Sequence, residues 1–407
     1  MVKCRGCSIP LTQTFLNLGP SPIANDLISP KNLVLPEVYY PLQAMVCMAC
    51  CLVQLPEAAS RESIFRSDYV YFSSYSSSWL HHSRSYVSKM LDLLNLSDDD
   101  LVIEVASNDG YLLQYFKEHG VKVLGVEPSS GVAKVAIAKG IPTVVDFFGA
   151  EIAAKLVAKQ RPKLMVGNNV LAHVPDLHDF IAGFALLIAE NGLITFEFPH
   201  LLNLIRENQF DTIYHEHFSY LSLTALIPIF ESEGLKIIDV EKLSTHGGSI
   251  RIFVAQEDSN WNIEESVLSV LNEESLFDPR SEYIQQSLRE RTLRVKMELL
   301  DELINCKKRG FKVAAYGAAA KGNTLLNYSG IDSDLVEYIV DLNPHKQGNY
   351  LPGSRIPIVG LEELVTKTPD VLLILPWNLA IEIKEELKSF HEKGVQFLRA
   401  IPNLEYF

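Results

Sequence analysis

Positive charge, long apolar runs and cysteine are all scarce in this chain of 407 residues. Lys and Arg number 36 against 50 Asp and Glu, a formal net charge of −14. Such a balance repels phosphate backbones, so nucleic acid is excluded as a general partner and any anionic ligand must be met by a local basic pocket. No run approaches the roughly 18 apolar residues that a membrane helix needs. The start, Met1-Val2-Lys3-Cys4-Arg5-Gly6-Cys7, has no apolar core of the signal-peptide kind. A cytoplasmic protein without a membrane partner is expected. Six cysteines are too few to staple a chain of this length, and in a reducing compartment paired cysteines point to metal or redox work. What is present is an ordinary globular composition, 47% apolar and 21% charged, which excludes disorder and low complexity. At roughly 100–200 residues per domain the length predicts two to four domains.

The cysteines are placed tellingly. Cys4 and Cys7 form one C-x-x-C turn and Cys47 and Cys50 another. Four thiolates in two such turns suit one tetrahedral Zn²⁺, a closed and therefore structural site. Cys51 competes for the fourth place, but only Cys50 keeps the two-residue spacing. The segment between the pairs carries Pro10, Pro20, Pro22, Pro30 and Pro36, as a loop-rich lobe would. Cys306 stands alone and reads as packing.

From residue 101 short apolar runs alternate with stretches of helical length. Strands are expected at residues 101–105, 121–126, 164–167 and 193–198, with residues 236–240 and 249–254 extending the sheet. Continuous apolar strands separated by helices indicate a mostly parallel sheet covered on both faces, a doubly wound α/β unit. Residues 262–308 read as a helical arm, with Tyr283, Leu288, Leu293, Met297, Leu300 and Leu303 compatible with one apolar stripe. A second, smaller α/β pattern begins at residue 312, with strands expected at 313–316, 336–340 and 371–375.

Open parallel sheets bind ligands at the carboxyl ends of their strands. The first central strand carries Glu104 and runs into Ala106-Ser107-Asn108-Asp109-Gly110; the second ends in Glu127-Pro128. A carboxylate at the end of the second strand can accept from two ribose hydroxyls. The first turn lacks the G-x-G-x-x-G that admits a pyrophosphate, and Asp109 would repel one. A ligand with an adenosine end and a cationic amino-acid tail fits better, and S-adenosylmethionine has that chemistry. Asp146 and Phe147 stand where an adenine amine is read, and Asn168 and Asn169 end another strand near the sulfonium. The interleaved tyrosines and serines of residues 68–79, including Tyr71, Ser73, Ser74 and Tyr75, suit stacking and hydrogen bonding to a cofactor or sugar.

Tyr214, Glu216 and His217 lie together in an apolar stretch and offer general acid–base chemistry. His215 and His217 lack the four-residue spacing of a zinc protease helix, so no catalytic metal is expected. His246-Gly247-Gly248 lets the backbone approach a ligand, and Arg251 offers a cation for an anionic one.

Taken in order, the four-cysteine lobe, Asn108-Asp109-Gly110, Glu127-Pro128, Tyr214-x-Glu216-His217, His246-Gly247-Gly248 and Tyr316-Gly317-Ala318-x-Ala320-Lys321-Gly322-Asn323 resemble one family. It is that of bacterial sugar carbon-3 methyltransferases acting on nucleotide-linked 4-keto-deoxysugars. The resemblance implies an α/β protein with a small N-terminal zinc-binding lobe, a central Rossmann-like S-adenosylmethionine methyltransferase domain and a C-terminal Rossmann-like domain. The boundaries expected are 1–65, 66–260, a helical arm at 261–310, and 311–407. It also implies His217 as the base on carbon 3, Tyr214 as donor or relay, Glu216 orienting His217 or binding the sugar, and His173 facing the reacting centre. Lys321, Asn323 and Arg251 become candidates for the nucleotide diphosphate. Ala106-Ser107 departs from the Gly-Cys usual there, making the loop bulkier. The expected partner is a nucleotide-linked keto sugar, and the protein itself is expected to be a monomer or weak homo-oligomer. The rivals are a nicotinamide-dependent sugar dehydrogenase or epimerase, disfavoured by the first turn and the missing Tyr-x-x-x-Lys pair, and a non-catalytic zinc adaptor, which would leave Tyr214, Glu216 and His217 without a purpose.

Overall fold

The computed structural model describes residues 2–57, 72–157 and 160–407. Among the described residues the strands build three sheets. The N-terminal lobe supplies β1 (Gln13–Ser21), β2 (Tyr40–Val46) and β3 (Val53–Gln54), and its fourth, antiparallel strand is β9 (Ser219–Tyr220), which follows Tyr214 and His217 in the chain. The lobe is thus completed by the segment that carries the candidate base.

The central sheet contains β4 (Leu101–Val105), β5 (Lys122–Val126), β6 (Thr143–Val144), β7 (Leu164–Asn168), β8 (Leu193–Pro199), β10 (Leu235–Leu243) and β11 (Ser249–Gln256), in the order β10-β11-β8-β7-β4-β5-β6. Strands β4 to β8 run parallel, while β11 lies antiparallel between β8 and β10. Val102, Ile103, Leu164, Met165, Val166, Ile194 and Phe196 are buried because helices cover both faces. Three polar side chains interrupt these runs, Glu104, Thr195 and Glu197, and all are inaccessible to solvent. Polar groups are left in a core only where something satisfies or uses them, so they mark the functional end of the sheet.

The C-terminal sheet runs β14 (Ile358–Val359), β13 (Ile339–Val340), β12 (Val313–Tyr316), β15 (Val371–Ile374), β16 (Gln396–Arg399) and β17 (Glu405–Tyr406), with the last strand antiparallel. A single apolar cluster joins Phe15 and Leu42 of the lobe to Phe210, Leu288 of the arm and Val313 of this sheet. No helix among the described residues is long and apolar enough to cross a membrane.

The helical arm differs from the stripe expected for it. Helix Glu282–Lys308 buries Gln285, Leu288, Thr292, Val295, Leu299, Leu303 and Cys306, whereas Tyr283, Leu293 and Met297 are exposed. The buried set follows steps of three and four residues, and it includes two polar side chains. Both are satisfied: Gln285 accepts from Gln13 at 2.9 Å and Thr292 donates to Asn208 at 3.2 Å. Counting only apolar residues hid the face.

Candidate active site

The end of β4 turns sharply, with Ala106, Asn108 and Gly110 all at positive φ. Gly110 is required there, since a Cβ would lie 2.3 Å from Ile141 Cδ1 at a φ of +78°. The Asn108 backbone N–H donates to Glu127 Oε2 at 3.0 Å and the Ser129 N–H to Oε1 at 2.8 Å, locking the two loops together. Burial pushes the Glu127 carboxyl up to about 7 despite these bonds. Pro128 separates the two, and Asp146, at the end of β6, is exposed and accepts from the Phe147 N–H at 2.8 Å. The segment after Phe72 lies on the first loop: the Ser73 N–H donates to Asn108 Oδ1 at 2.9 Å and the Ser74 hydroxyl donates to Asp109. Lys139 also holds Asp109, at 3.1 Å. Tyr71 and the side chain of Tyr75 lie outside the described residues.

Several acceptors in this cleft have fewer donors than they can accept. Both carboxylate oxygens of Glu104 are buried without a regular hydrogen bond, although the Tyr111 hydroxyl faces them, and the side-chain oxygens of Asn168 and Asn169 are in the same state. Burial, chiefly, raises the Glu104 carboxyl well above its ordinary range. An unmet buried acceptor costs about 1–3 kcal/mol, so the cleft is built for a ligand carrying donors. The ammonium and ribose hydroxyls of S-adenosylmethionine would supply such donors, and Glu104 with Asn168 and Asn169, and Glu127, are the residues that could hold them.

Beside this cleft, the short turn Phe210–Thr212 leads into Tyr214 to His217. His217 Nδ1 lies 2.9 Å from the Thr212 carbonyl oxygen. A carbonyl only accepts, so Nδ1 carries the hydrogen and neutral Nε2 accepts from the Tyr214 hydroxyl at 2.8 Å. The two rings stand 4.1 Å apart. His173 Nδ1 bonds the Glu216 carbonyl at 2.6 Å, and its ring lies 4.7 Å from that of His217. Desolvation, followed by the charge of His173 and backed by those of His246 and Lys321, holds His217 well below 6.5. Desolvation lowers His173 to about 4. Both imidazoles are neutral near pH 7.

The structure does not bring Glu216 to His217. Its Oε1 accepts from the backbone N–H and side-chain amide of Asn25, each at 3.0 Å, so the carboxylate faces the N-terminal lobe, and orienting His217 falls to Thr212. Arg251 is a second correction. It is 2% exposed, its guanidinium bonds Glu197 at 2.6 Å and Glu241 at 3.0 Å, and it stacks on the Tyr86 ring at 4.4 Å. Those carboxylates consume the charge that was to meet a diphosphate.

His246 adopts a left-handed φ of 53° and sets its ring edge-on to Trp79 at 5.1 Å. Gly247 packs against Trp377, where a Cβ would come within 2.4 Å, and Gly248 against Asn203, also at 2.4 Å. Lys321 donates to Asn378, lies 4.6 Å over the Trp377 ring and feels the charge of Asp211. Burial lowers its ammonium to about 8 and raises Asp211, which accepts from Trp377 Nε1 at 2.7 Å, to about 7. Asn323 is fully buried and accepts from Asn327 at 3.1 Å within its own helix. Sequence reasoning missed Thr212, Asn25, Asp211 and Trp377. Only Asp211, beside the Tyr214 run, carried a local signal.

The four cysteine sulfurs of Cys4, Cys7, Cys47 and Cys50 lie within 4.8 Å of one another, with Cys4–Cys50 at 3.5 Å and Cys7–Cys47 at 3.4 Å. A tetrahedral ZnS₄ centre with 2.3 Å bonds separates its sulfurs by about 3.8 Å, so the set fits the ion. Cys51, at positive φ, stands outside it.

Comparison with known proteins gives three family matches in order along the chain: a zinc binding domain at residues 4–65, a methyltransferase domain at 79–240 and a C-methyltransferase C-terminal domain at 244–402. The C-methyltransferase NovU of Streptomyces niveus is 35% identical over 401 residues, covering 98% of this chain and 95% of that one. Solved structures are similar at lower likeness. Magnesium protoporphyrin IX methyltransferase of Synechocystis PCC 6803, with bound SAH, covers 44% of this chain and 83% of its own at 16% identity and a TM-score of 0.35. An S-adenosylmethionine-dependent methyltransferase from Thermotoga maritima covers 49% and 100% at 16% identity and a TM-score of 0.37.

Proposed function

The chain belongs to the S-adenosylmethionine-dependent C-methyltransferases, and from that premise we propose that it methylates carbon 3 of a nucleotide-linked 4-keto-deoxysugar. Methylation at carbon needs an electron pair on that carbon. A neighbouring ketone makes the pair accessible, because loss of the carbon-3 proton places the charge on an enolate oxygen. The bound cofactor supplies the electrophilic methyl group. The protein's part is to remove the proton and meet the charge.

The observation that carries this reading is the Tyr214–His217 pair. Nε2 of a neutral imidazole accepts from a phenol at 2.8 Å while Thr212 fixes the other nitrogen. In this geometry a proton taken from carbon 3 passes to the Tyr214 oxygen as the phenol hydrogen moves to His217, so Tyr214 is the relay and His217 the base that stores the proton. His173, 4.7 Å away and neutral near pH 7, adds no positive charge of its own beside His217. Lys321 and the Gly247 backbone face the substrate side in this proposal. A cavity of about 490 Å³ bounded by Gln209, Gly247, Trp377, Asn378 and Arg399 is of a size to admit part of a nucleotide sugar. Glu127, Glu104, Asn108, Asp109, Asn168 and Asn169 hold the cofactor.

The test is incubation with S-adenosylmethionine and a panel of nucleotide 4-keto-deoxysugars, read by mass. One substrate should gain a single methyl group. In the same assay His217→Ala should lose turnover while binding cofactor normally, and unchanged turnover removes His217 as the base.

A further inference from the structure

The first zinc knuckle touches the segment that carries Tyr214 and His217. Arg5 sits between the ligand Cys4 and Gly6, so its backbone belongs to the loop that closes on the metal. Its N–H donates to Gln54 Oε1 at 3.0 Å, and Gln54 Nε2 donates to the Cys4 sulfur at 3.1 Å. The Arg5 guanidinium then leaves the knuckle. Nη1 donates to the Phe218 carbonyl, Nη2 donates to the Leu55 carbonyl at 3.0 Å, and the group lies 5.5 Å from the Phe218 ring centre. The Leu55 N–H gives the Phe218 carbonyl a second bond at 3.0 Å.

Phe218 directly follows His217. Asn25 of the same lobe holds Glu216, which directly precedes it. Behind both, Val53 pairs with Tyr220 and Gln54 with Ser219. The residues on either side of His217 are therefore anchored to the N-terminal lobe, and the later anchor radiates from a metal-ligand turn. Between the turn Phe210–Thr212 and β9 the segment has no regular element to hold it; within it the His217 N–H donates to the Tyr214 carbonyl and His217 Nδ1 to the Thr212 carbonyl, each at 2.9 Å.

We propose that Arg5 is a positioning residue for methyl transfer: through the Phe218 carbonyl it transmits the geometry of the zinc knuckle to the Tyr214–His217 pair, so the metal aligns that pair as well as holding the lobe together. The proposal rests on Tyr214 and His217 being the proton-handling pair. An error of about 1 Å in such a contact costs about 10²-fold in rate, and loss of a group one step beyond a metal's ligands typically costs 10- to 100-fold in activity or affinity.

The test compares zinc-loaded wild type, Arg5→Met, Arg5→Lys and His217→Ala for zinc content, cofactor dissociation constant, kcat and amide hydrogen exchange across residues 214–220. Arg5→Met should keep one zinc and its cofactor affinity, lose about 10- to 100-fold in kcat, and exchange faster at 214–220. Arg5→Lys keeps the charge but not the fork, and its kcat should fall in between; it also serves if Arg5→Met does not fold. Wild-type kcat in zinc-loaded Arg5→Met or Arg5→Lys, with His217→Ala inactive, overturns the positioning role alone. A loss of kcat that only tracks loss of zinc, with exchange at 214–220 unchanged in the loaded fraction, overturns it too. Normal turnover of His217→Ala overturns the base assignment, and the proposal falls with it.

Discussion

Replacing Arg251 with methionine separates two accounts of that residue by the quantity that changes. In the structure the guanidinium neutralises Glu197, which is fully buried, across 2.6 Å, and reaches Glu241 at 3.0 Å. Removing one partner of a buried pair costs about 3–5 kcal/mol because the other charge stays behind. Glu197 keeps His82 at 2.8 Å and Thr245 at 2.8 Å, so the lower end, about 3 kcal/mol, is expected. At about 2–4 °C per kcal/mol for a domain of 150–250 residues, the central domain should melt about 6–12 °C lower. The pH dependence has a definite sign. Burial raises the Glu197 carboxyl, but the His82 bond and the Arg251 charge outweigh it and hold the group below 4.5. Its contribution is therefore complete above 4.5 and is lost as the pH falls through the lowered folded value, so the gap between wild type and variant narrows in acid. Calorimetry measures the shift, and initial rates measure KM for the nucleotide sugar. An unchanged melting temperature with a tenfold higher KM would refute the buried-pair account and return Arg251 to the diphosphate.

Metal analysis should find about one zinc per chain, absent from the Cys4→Ser, Cys47→Ser double variant, whose N-terminal lobe should unfold; a fully folded, metal-free wild type contradicts the site. Gly110→Ala should weaken cofactor binding at least tenfold by calorimetry, because a left-handed φ of +78° costs an alanine about 1–2 kcal/mol and its Cβ would lie 2.3 Å from Ile141. Wild-type affinity would show that the loop moves freely. Because desolvation keeps His217 neutral well below 6.5, kcat/KM should stay level from pH 8 through the ordinary histidine range and decline only at lower pH. A rate-pH curve with its midpoint at 6.5 rules out that environment.

What could be read from the sequence was local. Two C-x-x-C turns are legible because one ion needs four thiolates, and the strands of the central sheet because burial on both faces leaves continuous apolar runs. The loop after β4 and Glu127 were legible for the same reason, polar residues at strand ends. Arg251 was misread because its partners come from β8 and β10, which flank β11 only once the strand order is known. That Glu216 does not orient His217 was hidden because its partner Asn25 lies 191 residues away. Trp377 and Asp211, 166 residues apart, carry no pattern that links them. In the arm the buried stripe includes Gln285 and Thr292, whose partners Gln13 and Asn208 are remote, so an apolar count found only part of the face.

Those remote contacts converge on one stretch. Residues 210–220 hold only a three-residue turn and the two-residue β9, too little regular structure to fix a 2.8 Å phenol–imidazole contact from within. Further constraints come from outside. The zinc lobe holds Glu216 through Asn25 and Phe218 through Arg5. The central unit holds the Glu216 carbonyl through His173 at 2.6 Å. The C-terminal unit holds Asp211 through Trp377 at 2.7 Å and the Ile213 carbonyl through Thr324 at 3.2 Å. The acceptors assigned to the cofactor, by contrast, all stand at strand ends of the central sheet. Cofactor affinity and turnover therefore draw on different parts of the molecule: a perturbation in either flanking unit that leaves the central sheet intact should lower kcat before it touches cofactor binding. On the proposed role of Tyr214 and His217, that asymmetry gives both flanking units a part in the chemistry.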